Sequence, residues 1–283
     1  MRRATKEVLI CLAIMACGAS MTFAVDTQPT DPNLTTMKWT IDGVEREAAV
    51  YIPKPPSAAA LPLVFAFHGA NNKVAGFANL FPVHRVWPEA VVVYMQGLVT
   101  WPRAKRENGQ LKSGTGWQDA VGKNNDRDLT FFDAVLATLR SDLHIDNSRI
   151  YVAGFSNGGA FAYLLWHTRG DTFAAVATVA GGLVGALESD DPYALLTPKP
   201  ALQVAGEKDD RVPFKKLATM VDIVKKINRC DETPRPWGGN DLCAEYPSKI
   251  GAPVVAYFHP GGHTVPKDAI PLIVQFFKEH PKP

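Results

Sequence analysis

Ser156, Asp209 and His263 are the residues of this chain whose types and spacing suit covalent chemistry. A serine hydroxyl is a poor nucleophile near neutral pH and needs a base within hydrogen-bond reach. An imidazole can be that base if a carboxylate holds its tautomer and stabilises the imidazolium that forms. The chemistry such a trio performs is acyl transfer through a serine ester. Ser156 stands in Gly154-Phe-Ser-Asn-Gly158, a G-x-S-x-G pattern followed by Gly159. The pattern alone occurs by chance in loops. Here Arg149-Ile-Tyr-Val-Ala153 precedes it and an apolar helical period follows it, so the segment reads as strand, sharp turn and helix. Such a turn lifts the hydroxyl clear of a sheet edge and leaves no room for side chains two residues away.

His263 lies in Pro260-Gly-Gly-His-Thr-Val-Pro266, after the predicted strand Val254–Phe258 and before the predicted helix Ala269–Lys278. His259, four residues earlier, ends a strand and reads as a packing or capping residue. Pro260-Gly-Gly breaks the helix that an H-x-x-x-H zinc pair would need, so neither a metal nor any other cofactor is expected. The carboxylate falls in Gly206-Glu-Lys-Asp-Asp-Arg-Val-Pro-Phe214. Asp209 is placed ahead of Asp210 because it is nearer the strand end and leaves Asp210 to pair with Arg211; Glu207 is a further candidate. The separations, 53 residues from Ser156 to Asp209 and 54 from there to His263, each suit about one βα unit or slightly more.

Acyl transfer also needs donors for the oxygen that becomes negative in the tetrahedral intermediate. The backbone N–H of Asn157, at the predicted helix start, is one. Ala70, in His68-Gly69-Ala70 after a strand, supplies the other. His68 is expected to brace that loop beside the substrate rather than carry protons. Trp101 and Trp117 fall in the Gly-rich segment Thr100–Asp126. Either could stack on an aromatic acyl group or a sugar, Trp117 being the better placed; the alternative is that both anchor the segment to the core.

The elements that must position these residues follow from apolar periodicity. Asp42-Gly43 between Met37–Ile41 and Glu45–Ile52 signals a hairpin. Leu63–Phe67 and Ala90–Tyr94 are apolar throughout, as strands covered on both faces are. Leu129–Leu143 repeats at helical spacing. Strands Ile150–Ala153, Ala174–Val179, Ala201–Ala205 and Val254–Phe258 then alternate with helices Gly159–Trp166, Leu217–Ile227 and Ala269–Lys278. The expected fold class is α/β, with a mostly parallel central sheet, helices on both faces and an N-terminal antiparallel hairpin. His68, Ser156, Asp209 and His263 all come just after predicted strands, at the edge where such sheets bind ligands.

The 283 residues, 46% hydrophobic and 20% charged, contain no linker or internal repeat. Residues 1–24 read as an export signal. Arg2, Arg3 and Lys6 precede the nine-residue apolar run Val8–Ala16, with cleavage placed after Ala24. Lipid attachment at Cys17 is the alternative. The run is short of the roughly 20 residues that span a bilayer, so stable membrane insertion is not expected. A single catalytic domain over 25–283 and a secreted or periplasmic monomer follow as expectations. Removing the signal takes three cations and one anion, so the formal charge falls from +2 to 0. A neutral domain has no long-range field to gather nucleic acid. Only Cys230 and Cys243 then remain, and in an exported chain the simplest expectation is a disulfide between them, worth about 3 kcal/mol. The enclosed segment is too rich in turn formers to be expected as helix or strand.

The residues His68-Gly69, Gly154-Phe-Ser-Asn-Gly-Gly159, Asp209-x-x-Val212-Pro213 and Gly261-Gly-His263-Thr264 together resemble the secreted polyhydroxybutyrate depolymerase and feruloyl esterase group, including carbohydrate esterase family one. The stretch from Asp128, with Ile145-Asp146-x-x-Arg149-Ile-Tyr151, is also similar, and the resemblance covers about residues 60 to 266. It implies an α/β-hydrolase fold, Asp209 as the acid, and hydrolysis of a carboxylic ester. The expected substrate is a feruloyl or acetyl ester on plant polysaccharide or oligosaccharide. The alternatives are a hydroxybutyrate oligomer or polyester, acyl transfer to a sugar, and a non-catalytic protein on the same scaffold. The group often has His-Gly-Thr where this chain has Ala205-Gly206-Glu207, and Trp where it has Val265. Neither departure touches the trio, but both bear on the shape of the pocket. Solid-polyester depolymerases carry a binding module and linker; none is readable in this sequence, so a soluble or oligomeric ester is expected.

Overall fold

Asp42 and Gly43, at φ 49° and 76°, form the tight turn that joins β1 (Leu34–Ile41) to β2 (Val44–Tyr51) as an antiparallel pair. The computed structural model describes residues 31–54, 59–105, 111–182 and 196–283, with the backbone alone at 101–105 and 111–113. The expected export signal and Cys17 lie outside the described residues.

The chain continues through β3 (Leu61–Phe67), α1 (Val74–Leu80), α2 (Val83–Val86), β4 (Val91–Met95), β5 (Leu98–Lys105) and β6 (Leu111–Gly116). Then come α3 (Arg127–Asp142), β7 (Ile145–Phe155), α4 (Asn157–Arg169), β8 (Ala175–Val179) and β9 (Ala201–Gly206). The last elements are α5 (Phe214–Ile227), β10 (Arg235–Trp237), β11 (Asn240–Tyr246), β12 (Val254–His259) and α6 (Ala269–Glu279). Ten strands form one sheet in the order β1-β2-β4-β3-β7-β8-β9-β12-β11-β10. The pairings from β4 to β12 are parallel, and those outside them on both flanks are antiparallel.

Alternation along the strands explains why the central ones are apolar throughout, since successive side chains point to opposite faces. Leu63, Phe65, Phe67, Ile150 and Val152 pack with Phe132, Phe161 and Val221 of α3, α4 and α5. Val64, Ala66, Tyr151 and Ala153 pack with Phe77, Val83 and Phe277 of α1, α2 and α6. The sheet is thus covered on both faces, as expected.

Two segments carry strands that the apolar periods do not show. The Gly-rich stretch after β4 contains the antiparallel pair β5–β6, which forms a separate small sheet. The segment between the cysteines contains β10 and the first three residues of β11, because Gly238 and Gly239, both at φ 68°, supply a hairpin turn between Trp237 and Asn240. The expected disulfide is corrected as well. Cys230 and Cys243 are both free thiols. Cys243 packs into the core beneath α6, whereas Cys230 packs against the core on the opposite face of the sheet. Burial pushes each thiol up to about 11, so both stay protonated at neutral pH.

Candidate active site

Ser156 sits where β7 turns into α4, at φ 55° and ψ −121°. A non-glycine residue in that region is strained, and the surroundings hold it there. Its N–H donates to Val179 O of β8 (2.8 Å) and its carbonyl accepts from Ala160 N (3.1 Å). The neighbours are glycine because nothing larger fits. A Cβ on Gly154 would overlap the carbonyl of Gly158, and one on Gly158 would overlap the carbonyl of Phe67. Gly181 is likewise pressed against the carbonyl of Ser156, a restriction the motif itself does not reveal.

The loops after β9 and β12 are stitched together above the sheet. Glu207 N donates to His259 O (2.8 Å) and Lys208 N to Gly261 O (3.0 Å). A Cβ on Gly206 would overlap the carbonyl of Gly262. This contact brings Asp209 and His263 together, and Ser156 meets them from the end of β7. His263 Nδ1 lies 2.8 Å from Asp209 Oδ2, and its Nε2 lies 2.9 Å from Ser156 Oγ. With Nδ1–H donating to the carboxylate, Nε2 is left free to accept from the serine hydroxyl. Glu207 and Asp210, the competing carboxylates, are exposed, whereas Asp209 is buried.

Asp209 Oδ1 accepts the backbone N–H of both Arg211 and Val212, at 2.9 Å each. Burial alone would raise this carboxyl. The N–H of Val212, the imidazole of His263 and the N–H of Arg211 outweigh it and hold the group below the usual carboxylate range. It is therefore ionised at neutral pH. The His263 ring also rests against Phe155, with centroids 5.0 Å apart.

The N–H of Asn157 opens α4, and the N–H of Ala70 follows the β3 loop. Neither makes a hydrogen bond among the described residues. His68 and Trp117 are not where a substrate-binding role needs them, and that expectation is corrected: both are fully buried. Trp117 stacks on Phe161 (5.2 Å, 15°) and meets Phe67 edge-on. Of Trp101, only the backbone, in β5, is described.

His68 braces its loop. Its Nε2 accepts from Gly97 N (2.9 Å), which leaves the proton on Nδ1 to donate to Gly69 O (2.7 Å). Burial pulls its pKa down, against the Gly69 carbonyl and Asp128, and keeps the ring neutral. Two further side chains join the site without having been read from the sequence. The Asn157 side chain clasps the backbone of Trp117, and Gln96 donates to Gly97 O (3.0 Å) beside His68. Gln96 directly follows β4, so the rule that picked out the other residues at strand ends reaches it as well. His259 bonds within its own loop. Its Nδ1 accepts from Gly261 N (3.1 Å), and no cluster of three or more metal-ligating side chains occurs among the described residues.

The dienelactone hydrolase family matches residues 94–230. A probable feruloyl esterase C from Aspergillus oryzae is 30% identical over 161 residues, which is 56% of this chain and 54% of that protein. The chain thus spans about half the length of that relative. A probable feruloyl esterase C from Aspergillus terreus is 25% identical over 268 residues, 89% of either chain. Among solved structures, an acetyl xylan esterase from Aspergillus awamori superposes with a TM-score of 0.64 at 14% identity, covering 92% of this chain and 99% of that one. At that identity the likeness speaks for the fold. The chain has an α/β-hydrolase fold, and its sequence is similar to feruloyl esterases over part or most of its length.

Proposed function

We propose that this protein is a serine esterase that hydrolyses carboxylic esters through an acyl-enzyme on Ser156. The observation that carries the reading is the single imidazole of His263, within hydrogen-bond distance of both Ser156 Oγ (2.9 Å) and the Asp209 carboxylate (2.8 Å). In this mechanism Ser156 Oγ attacks the ester carbonyl carbon while His263 Nε2 takes its proton. The oxygen that becomes negative is held by the N–H groups of Asn157 and Ala70. The tetrahedral intermediate collapses, the bond to the alcohol breaks, and His263 returns the proton to the departing oxygen. Water then repeats the sequence on the serine ester and frees the acid. Asp209 keeps Nδ1 protonated and stabilises the imidazolium, a role that suits a buried carboxylate held ionised.

The substrate class we assign is a feruloyl or acetyl ester on plant polysaccharide or oligosaccharide, supported by the names of the relatives and of the structural neighbour. Export is supported by the basic start and apolar run of residues 1–24. Among the described residues no helix is long and apolar enough to cross a membrane. Comparing turnover of methyl ferulate, acetylated xylan, short nitrophenyl esters and hydroxybutyrate oligomers tests the assignment, and a preference for the last of these would replace it with polyester cleavage. Ser156→Ala is expected to lower kcat on the best substrate by about 10⁴–10⁶-fold with the fold intact. Turnover retained by that variant would refute the mechanism.

A further inference from the structure

Trp117 was expected to face the substrate, yet every contact it makes is internal, and two of those contacts lie on opposite sides of the site. Its indole Nε1–H donates to His68 O (2.9 Å), at the start of the segment His68-Gly69-Ala70. Its backbone N–H donates to Asn157 Oδ1 (2.8 Å), and its carbonyl accepts from Asn157 Nδ2 (3.2 Å). Two residues earlier, Thr115 O accepts from Asn71 N (2.8 Å). The strap Thr115-Gly-Trp117 at the end of β6 therefore holds the backbone on both sides of Ala70 and also grips the side chain of Asn157.

The strap is itself anchored. Gln118 N donates to Asp128 Oδ2 (2.9 Å) while Gln118 Oε1 accepts from Asp128 N (3.1 Å). Asp128 Oδ1 accepts from the buried guanidinium of Arg46 (2.8 Å), which also donates to Gln96 O (3.4 Å) beside the His68 brace. A fully buried ion pair thus lies behind the carboxyl end of the strap and beside the His68 brace. Phe161 and Phe67 fix the indole plane from two directions.

We propose that Trp117 is a positioning residue that sets the separation and aim of the two oxyanion donors, the N–H groups of Ala70 and Asn157, by tying the segment that carries one to the segment that carries the other. The inference rests on the esterase reading above. Donors aimed at the developing oxyanion stabilise the transition state more than bound substrate, and a displacement of about 1 Å costs on the order of 100-fold in rate. A loosened strap therefore lowers kcat and leaves KM nearly unchanged.

The test is Trp117→Phe, which keeps an aromatic ring in the core but removes the N–H that holds His68 O. It is paired with Asn157→Ala, which leaves the backbone donor in place and frees the strap from the other side. Each is expected to lower kcat on p-nitrophenyl acetate by about 10–100-fold with KM within about twofold. Each should also weaken inhibition by phenylboronic acid, whose serine adduct imitates the tetrahedral intermediate, by a factor similar to the loss in kcat. Because both act through one clasp, the double variant should lose less than the product of the two single losses. If Trp117→Phe proves too unstable to purify, Asn157→Ala with the same two readouts decides the matter alone. Unchanged kcat and boronate affinity would overturn the role of Trp117 while the esterase reading stood. Turnover that survives Ser156→Ala would remove both.

Discussion

Asp209 and Asp210 are adjacent, chemically identical and equally plausible to charge counting, yet the fold gives them opposite surroundings. Asp209 is buried with all its contacts satisfied: one oxygen faces His263, and the other takes two backbone N–H groups. Asp210 is exposed. Asp209→Asn keeps the shape but can offer an N–H where His263 Nδ1–H needs an acceptor, so the imidazole settles in the wrong tautomer. A loss in kcat of about 10⁴-fold is expected, against less than about twofold for Asp210→Asn, measured on one nitrophenyl ester. The reverse order would move the acid to residue 210. At this scale the sequence was informative about position: it put Ser156, Asp209 and His263 just after strands, and the structure brings their side chains within hydrogen-bond distance of one another. Trp117 was misread because a tryptophan between glycines looks the same whether its ring faces a substrate or a core. Only the packing of Phe67 and Phe161 around it distinguishes the two.

At the scale of elements, the central strands were legible because burial on both faces leaves an apolar run, and its strand-like length, β-branched residues and flanking turn residues separate it from a buried helix. The two small hairpins were not. β10 and β11 are short, carry polar residues and sit at a sheet edge, so their sequence has no apolar period to read; neighbouring strands and a Gly238-Gly239 turn make them strands. The disulfide expectation failed for the same reason, because strand pairing directs Cys243 to one face and leaves Cys230 packed against the other. The elbow offers a sharper test of what the elements demand. Gly158→Ala would drive a methyl group into the Phe67 carbonyl, backbone against backbone, where no side chain can move aside. A loss of about 1–3 kcal/mol, or failure to fold, is expected by chemical denaturation. Gly76, inside α1, has nothing within 4 Å of where its Cβ would be, so Gly76→Ala should gain about 0.5–1 kcal/mol. Equal effects of the two substitutions would contradict the packing described for the elbow.

Across the whole molecule, the loops at the carboxyl end of the sheet are held by buried imidazoles acting as neutral hydrogen-bonding parts. His68 ties the loop after β3 to Gly97, and His259 ties the loop after β12 to its own Gly261. Burial pulls both pKa values below the ordinary 6.5; at His259 it does so against the pull of Asp268, Asp209 and Glu207, and at His68 against the Gly69 carbonyl and Asp128. In the unfolded chain these rings regain the ordinary value and bind protons more readily. Their neutral packing therefore contributes in full above about pH 6.5, and the contribution shrinks as pH falls from there toward the lowered folded values. Asp209 and Asp31, whose carboxyls are depressed, act in a separate window: their contribution is lost only below the ordinary carboxyl value of 3.8. Thermal melts between about pH 7 and pH 5 should thus show a falling Tm before any carboxylate titrates. His259→Gln cannot take up a proton, yet its side-chain oxygen can still accept from Gly261, so it should flatten part of that slope. A Tm that stays level over this interval in the wild-type protein would mean that the two rings are not held neutral by burial, and the brace role given to them would fall.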